Sequence, residues 1–247
     1  MKRYISEAIV MRVKEFGESD LLITFFTRER GLVRGVAKGG RRSCKRFVNC
    51  LDLFTLVKLE YGLSREGALP LLQSGRLING FPNLRGDFSA ISMASFMVEI
   101  TEILYPQGVV EEKAFHLLKE AFAGLSAGVK TPVMALLFLA RSLALSGFGI
   151  DTKKCCFCGR AYQGEGRAVF VPQKGGIACL HCRKPSSRNP VLTPNSTRVL
   201  EMIQTKDLGD VSGVMVPDQV VEELRPVMKL HREYHLERPL KTAKYID

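Results

Sequence analysis

Residues 21–37 read LLITFFTRERGLVRGVA. Two runs, Leu21 to Thr27 and Gly31 to Ala37, flank the turn signal Arg30-Gly31, and both are rich in the β-branched, aromatic and aliphatic residues that favour short strands. Outward from this pair, Tyr4 to Val13 precedes it behind Phe16-Gly17-Glu18, while Leu53 to Tyr61 and Leu69 to Leu77 follow it. Five strands within residues 1–80 suit a small closed barrel, and the common five-stranded barrel is the oligonucleotide-binding (OB) fold. In that fold the second and third strands and the adjoining loops meet the ligand, which here are the runs bearing Phe25, Phe26 and Arg34. Because neighbours on a strand face opposite ways, at most one of Phe25 and Phe26 is a stacking candidate; Phe47 is a third aromatic close by.

After Phe81-Pro82 the pattern turns helical. Ile91, Ala94, Met97, Val98 and Ile103 follow helical spacing, Pro106 and Gly108 end that run, and Val109 to Leu125 makes a second helix. Thr131 before Pro132 predicts a capped third helix, stopped by Gly147 and Gly149 and central to its domain because Val133 to Ala140 is apolar all round. Helices resume at Thr193-Pro194 and over Pro217 to Glu237, which Pro226 should kink or divide. The expected architecture is α+β: an OB barrel over residues 1–80, and an all-helical domain over 81–247 with a cysteine-bearing ribbon inserted at 151–190.

The 247 residues are 46% hydrophobic and 25% charged, which excludes a wholly disordered, collagenous or low-complexity chain. Arg141 and Ser142 break the longest apolar stretch, so no segment approaches the roughly 20 apolar residues of a membrane span. Glu7, Arg12 and Lys14 interrupt the N-terminal apolar run, which argues against a secretion signal. A cytoplasmic protein is expected, in which clustered cysteines point to metal rather than disulfides. The net charge of +11 is uneven: +7 over residues 1–80 and +6 over 151–190, against −1 in each of the other two segments. Charge confined to blocks implies positive faces and polyanionic partners.

Two constellations carry the chemistry. Cys155-Cys156-Phe157-Cys158-Gly159 is followed after 20 residues by Cys179-Leu180-His181-Cys182. Paired CxxC turns at this separation match a structural zinc site of Cys155, Cys158, Cys179 and Cys182, with Cys156 and His181 as alternative ligands. Four protein ligands leave no open position for activating water, so one Zn2+ per chain would stabilise rather than catalyse. The second constellation is Arg34, Lys38, Arg41, Arg42, Lys45 and Arg46 around Gly39-Gly40, part of eight basic residues between 28 and 46 against the single acid Glu29. It reads as a phosphate-contacting loop, the alternatives being a solvated basic face or a loop for acidic protein. His231 and His235 have i, i+4 spacing but lack the HExxH arrangement, and no P-loop, Rossmann or nucleophile-elbow motif occurs. No catalytic residue is assigned.

In this order the parts resemble the bacterial RecO family of recombination and repair proteins. The resemblance runs nearly end to end. It rests on Glu18-Ser19-Asp20, on Phe26 to Leu32, on Val36 to Arg42 followed by Lys45-Arg46-Phe47, and on Leu53-Phe54-Thr55. It continues through the two cysteine pairs and the closing Tyr234 to Thr242. Cys44 in the basic loop and Pro239 near the C-terminal motif depart from the family's usual residues.

The resemblance implies a non-catalytic recombination mediator acting in the cytoplasm at the nucleoid. Such proteins bind single- and double-stranded DNA, anneal complementary strands, contact the acidic C-terminal tail of single-stranded DNA-binding protein, and act with RecR to load RecA. Carried over, Lys38, Arg41, Arg42, Lys45 and Arg46 would hold phosphates and the four cysteines zinc. A tail pocket needs apolar side chains beside a cation, and Phe138 with Arg141 is one such combination. The rival readings are a sequence-specific regulator or ribosomal binding module, and a DNA-processing enzyme with a structural ribbon. The enzyme would need a metal-binding carboxylate cluster, whereas Asp207, Asp210 and Asp218 read as loop and helix-start residues.

Overall fold

The computed structural model describes residues 2–63, 68–208, 216–236 and 238–245; Asp210 and Glu237 lie outside the described residues. The chain divides into two compact units, one of residues 1–94 and 101–127 and one of residues 95–100 and 128–247.

The first unit is built on a closed barrel of β1 (Lys2–Phe16), β2 (Asp20–Thr27), β3 (Gly31–Ala37), β4 (Leu56–Leu63) and β5 (Leu71–Asn79), in the order β1-β2-β3-β5-β4. This is the OB arrangement expected from the sequence. Strand β1 serves both sides of the barrel: Lys2 to Ile9 pair with β4, and Ala8 to Phe16 pair with β2 across a bulge between Val10 and Arg12. A bulge bends a strand and raises its twist, which lets one 15-residue strand wrap the barrel. Closure is by a short parallel contact of Val36 with Leu71, fixed by a 2.8 Å bond from the Val36 N–H to the Pro70 carbonyl. Val10, Ile23, Phe25, Val57, Leu59 and Tyr61 fill the interior, with Phe25 edge-on to Tyr61 at 5.2 Å.

Helices α1 (Phe88–Leu104) and α2 (Glu112–Ser126) follow the barrel. Asp87 caps α1 through the N–H groups of Ser89 and Ala90, and Glu111 caps α2 through that of Lys113. The second helix therefore begins three residues after Val109, where the sequence reading had placed it. Strand β4 likewise begins at Leu56 rather than Leu53, because Phe54 is left-handed (φ 63°) and plugs its ring against Phe122 at 5.6 Å. Gly31 is also left-handed (φ 62°), and a Cβ there would stand 1.9 Å from the Val109 carbonyl oxygen, so only glycine fits this turn.

The second unit contains α3 (Thr131–Leu145), α4 (Pro194–Thr205), α5 (Asp218–His235) and a four-stranded sheet of β6 (Asp151–Cys155), β7 (Ala168–Val171), β8 (Gly176–Cys179) and β9 (Val191–Leu192), ordered β6-β8-β7-β9. Residues Leu136 to Leu143 of α3 are all buried, as its all-round apolar sequence requires. The cap position of α3 is Lys130, not Thr131, and its ammonium lies 3.4 Å from Asp218. Thr193 does cap α4, accepting from the Ser196 N–H. Pro226 does not divide α5: Val220, Val221 and Leu224 before it and Val227, Met228 and His231 after it are buried, so packing on both sides holds the helix through the missing N–H. Glu99, itself buried, accepts bonds from the backbone N–H groups of Lys241 (3.0 Å) and Thr242 (3.0 Å) and from the Thr242 hydroxyl (2.6 Å), which docks the C-terminal motif. Among the described residues, no helix is long and apolar enough to cross a membrane.

Candidate nucleic-acid interface and metal centre

The basic loop leaves β3 through the left-handed Gly39 (φ 64°), passes a single 3-10 turn at Gly40–Arg42, and is tied down where Phe47, Cys50 and Leu51 enter the barrel core. Asp20 at the start of β2 accepts from the Gly39 N–H at 2.7 Å, and the Ser19 carbonyl accepts from the Arg41 N–H at 3.1 Å. The Glu18-Ser19-Asp20 motif is thus the seat of the loop.

Its cations separate into two groups. Arg41 pairs with Glu15 at 3.1 Å, and Arg46 donates to the Lys38 carbonyl while its guanidinium lies 5.1 Å from the Phe47 ring centroid. Upstream, Arg28 pairs with Glu112 at 2.8 Å and Arg30 covers the Tyr4 ring at 4.3 Å. Arg34, Lys38, Arg42 and Lys45 are exposed, and among the described residues none of them has a carboxylate partner. Sequence alone did not make this distinction, because Glu15 and the Lys38 carbonyl become neighbours of Arg41 and Arg46 only in the fold.

None of the three stacking candidates is available. Phe25 is in the barrel core, and Phe47 is buried with it. Phe26 points out of the barrel, as alternation demands, but Tyr105 and Phe115 cover it at 6.2 and 6.4 Å between ring centroids, leaving it fully buried.

The ribbon brings the sulfurs of Cys155, Cys158, Cys179 and Cys182 within 4.8 Å of one another. Four sulfurs about 2.3 Å from one zinc would be spaced about 3.8 Å apart. The Cys158 and Cys179 sulfurs are 3.9 Å apart, so the donor set fits a tetrahedral metal. Cys156 and His181, the alternative ligands, stay outside this group. The knuckles are held by local bonds from the Gly159 N–H to the Cys155 carbonyl at 3.0 Å and from the Cys182 N–H to the Cys179 carbonyl at 3.0 Å. Burial alone would raise the Cys155 thiol, but N–H groups of Cys158, Cys179 and Phe157 aimed at the sulfur outweigh it and bring it down to about 6. Hydrogen bonding with Cys179 and then Cys158 holds the Cys182 proton, pushing that thiol up to about 12. A bound divalent ion would displace such shared protons and supply a cross-link to a sheet whose cysteine-side core is only Cys155, Val171 and Ala178 with three further cysteines.

A pocket in the second unit is lined by Phe96, Leu136, Leu139, Val221 and Met228, with Arg225, Lys229 and Arg232 among its wall residues. The combination named from the sequence, Phe138 with Arg141, does not line it: Arg141 donates to the Gln204 carbonyl and pairs with Asp207 at 2.9 Å.

A closed OB barrel with an exposed, seated basic loop, accompanied in the same chain by helices and a four-cysteine ribbon, defines the class of protein. Within that class the chain belongs to the RecO family. The model for the recombination protein O N-terminal region matches residues 1–81, and that for the C-terminal region matches residues 85–244. It is 29% identical to the DNA repair protein RecO of Desulfatibacillum aliphaticivorans over 98% of this chain and 95% of that one. It is 31% identical to the protein of the same name from Anaeromyxobacter sp. strain Fw109-5 over 97% and 93% of the two chains.

Proposed function

We propose that this chain is a non-catalytic recombination mediator. It binds single- and double-stranded DNA, anneals complementary strands, and with RecR helps to load RecA onto DNA coated with single-stranded DNA-binding protein, in the cytoplasm at the nucleoid. The division into a DNA-binding barrel over 1–80 and a helical part over 81–247 carrying the ribbon at 151–190 is part of this reading. The observation that carries it is the set of exposed cations without a carboxylate partner among the described residues, Arg34 on β3 and Lys38, Arg42 and Lys45 on the loop that follows it, whose backbone is fixed from below. Arg41 and Arg46 complete the DNA site by holding the loop rather than by reaching furthest from it. Cys155, Cys158, Cys179 and Cys182 hold one structural Zn2+. The pocket of Phe96, Leu136 and Met228 beside Arg225, Lys229 and Arg232 takes the acidic C-terminal tail of single-stranded DNA-binding protein.

The test is annealing of complementary oligonucleotides coated with single-stranded DNA-binding protein, comparing wild type with Lys38→Ala/Arg42→Ala/Lys45→Ala across a salt series. Each lost phosphate contact on a single strand lowers the salt slope by about 0.7, so three remove about two. Annealing that is salt-sensitive in wild type and collapses in the variant supports the reading. A wild type that does not anneal refutes it, and equal annealing by both refutes the placement of DNA on the loop.

A further inference from the structure

We infer that the tip of the ribbon is a single-strand contact of its own, in which Phe157 stacks on a base while neighbouring cations hold the flanking phosphates. This deepens the DNA-binding reading above and rests on it. Each knuckle presents an apolar side chain to solvent: Phe157 between Cys156 and Cys158 is 50% exposed, and Leu180 next to Cys179 is 43% exposed. The adjoining sulfurs of Cys158 and Cys179 are 3.9 Å apart, so the two tips are neighbours. Neither side chain belongs to the ribbon's buried core, which needs Cys155, Val171 and Ala178 at that place. A large aromatic held in water at a rigid metal knuckle gains nothing for the fold.

What surrounds it names the ligand. Lys153, Lys154, Arg160, Arg167, Lys184 and Arg188 are all exposed, and among the described residues none pairs with a carboxylate. Residues 151–190 contain only two acids. One of them, Asp151, is turned back to accept from the Lys153 N–H at 2.9 Å. The other, Glu165, lines a concavity of about 700 Å³, open to solvent, beside Cys155 and Cys179, whose other walls include Arg160, Arg167 and Tyr162. Cations alone would suit either form of DNA, but an exposed ring has a partner only where bases are unstacked and accessible. The barrel cannot supply this contact with Phe25, Phe26 or Phe47, since all three are buried. Single-stranded DNA is therefore the occupant, and duplex DNA or an apolar protein surface are outcomes the test separates.

The chain has no tryptophan, so Phe157→Trp places a unique fluorophore at the tip. Oligo(dT) should quench it on binding, whereas a duplex of equal length should leave it nearly unchanged. Phe157→Ala and Phe157→Leu should each weaken binding of a short single strand by roughly 5- to 160-fold, with zinc content of one per chain retained, since stacking on one base contributes about 1–3 kcal/mol. Leu keeps the bulk but not the ring, so binding restored by Leu would mean apolar docking and overturn the proposal. Absence of quenching, or equal quenching by duplex, would also overturn it. If the introduced indole is quenched while wild type fails to anneal, this contact stands and the mediator reading falls. If annealing depends on Lys38, Arg42 and Lys45 while the indole is not quenched, the mediator reading stands and this contact falls.

Discussion

Acid should unfold the second unit through one buried ring, His231. It is 1% exposed, lies edge-on to Phe170 at 5.6 Å and to His235 at 4.5 Å, and its Nε2 is 2.6 Å from the Phe148 carbonyl oxygen. A carbonyl only accepts, so Nε2 carries the proton and Nδ1, which has no partner, is bare. Burial is the largest influence on this ring and disfavours the imidazolium; the bond to Phe148 opposes it, His235 adds to it, and the pKa falls to about 4. In the unfolded chain an unperturbed histidine titrates near 6.5. Between these values the unfolded state binds more protons, so the contribution is fully present above about pH 6.5 and is lost as pH falls toward 4. Two and a half pKa units at 1.36 kcal/mol each amount to about 3 kcal/mol. Urea unfolding of wild type and His231→Gln at half-unit steps from pH 7.5 to 4 isolates it, because Gln still donates to Phe148 but does not titrate. Carboxylates and the cysteine site titrate in both proteins and cancel in the difference. Wild type should lose about 3 kcal/mol relative to the variant across that range. Parallel profiles would show that His231 is not the acid-sensitive group.

Three further perturbations follow from named contacts. Gly31→Ala meets both a left-handed backbone and the Val109 carbonyl, and should cost more than about 3 kcal/mol in denaturant unfolding; a loss under about 1 kcal/mol would contradict the tight turn. Glu99→Ala removes three bonds to Lys241 and Thr242, at about 1.5–3 kcal/mol for bonds to a charged group, and should abolish hydrogen-exchange protection of those two amides while sparing the barrel. Chelation, or Cys155→Ser, should remove one metal equivalent and melt the ribbon sheet before the barrel, seen as early proteolysis within 151–190; unchanged cleavage would mean that the sheet does not need its metal.

Local chemistry made most of the fold legible. Strand propensity with turn residues located all five barrel strands, because each needs only its own side-chain pattern and a partner. The CxxC pairs pointed to the four-cysteine cluster that could hold a metal for the same reason: two candidate ligands in one tight turn are a local arrangement. What was illegible depended on sequence-distant cover. Phe26 obeys strand alternation and points outward, yet Tyr105 and Phe115 remove it from solvent. Leu53-Phe54 has strand composition, but Phe54 packs its ring against Phe122 with a left-handed backbone, so the strand begins only at Leu56. Pro226 signals a break that flanking burial in α5 overrides.

The same distance dependence explains why the basic loop reads as six equal cations in sequence and as two kinds in structure. A loop of like charges repels itself and, if free, would have to be ordered when a polyanion arrives. Ordering costs about 0.5–1.5 kcal/mol for each immobilised side chain, besides the backbone. Here Asp20 holds Gly39, Ser19 holds the Arg41 backbone, Glu15 holds the Arg41 side chain, and Arg46 closes the loop on the Lys38 carbonyl. Those restraints are met before any ligand binds, and Phe47 anchors the far end in the barrel. Lys38, Arg42 and Lys45 are left as exposed ends of a fixed frame, so the ordering still required falls on side chains rather than on backbone. Arg46 therefore acts through Lys38, and Arg46→Ala should weaken DNA binding by loosening the loop, beyond the loss of one charge.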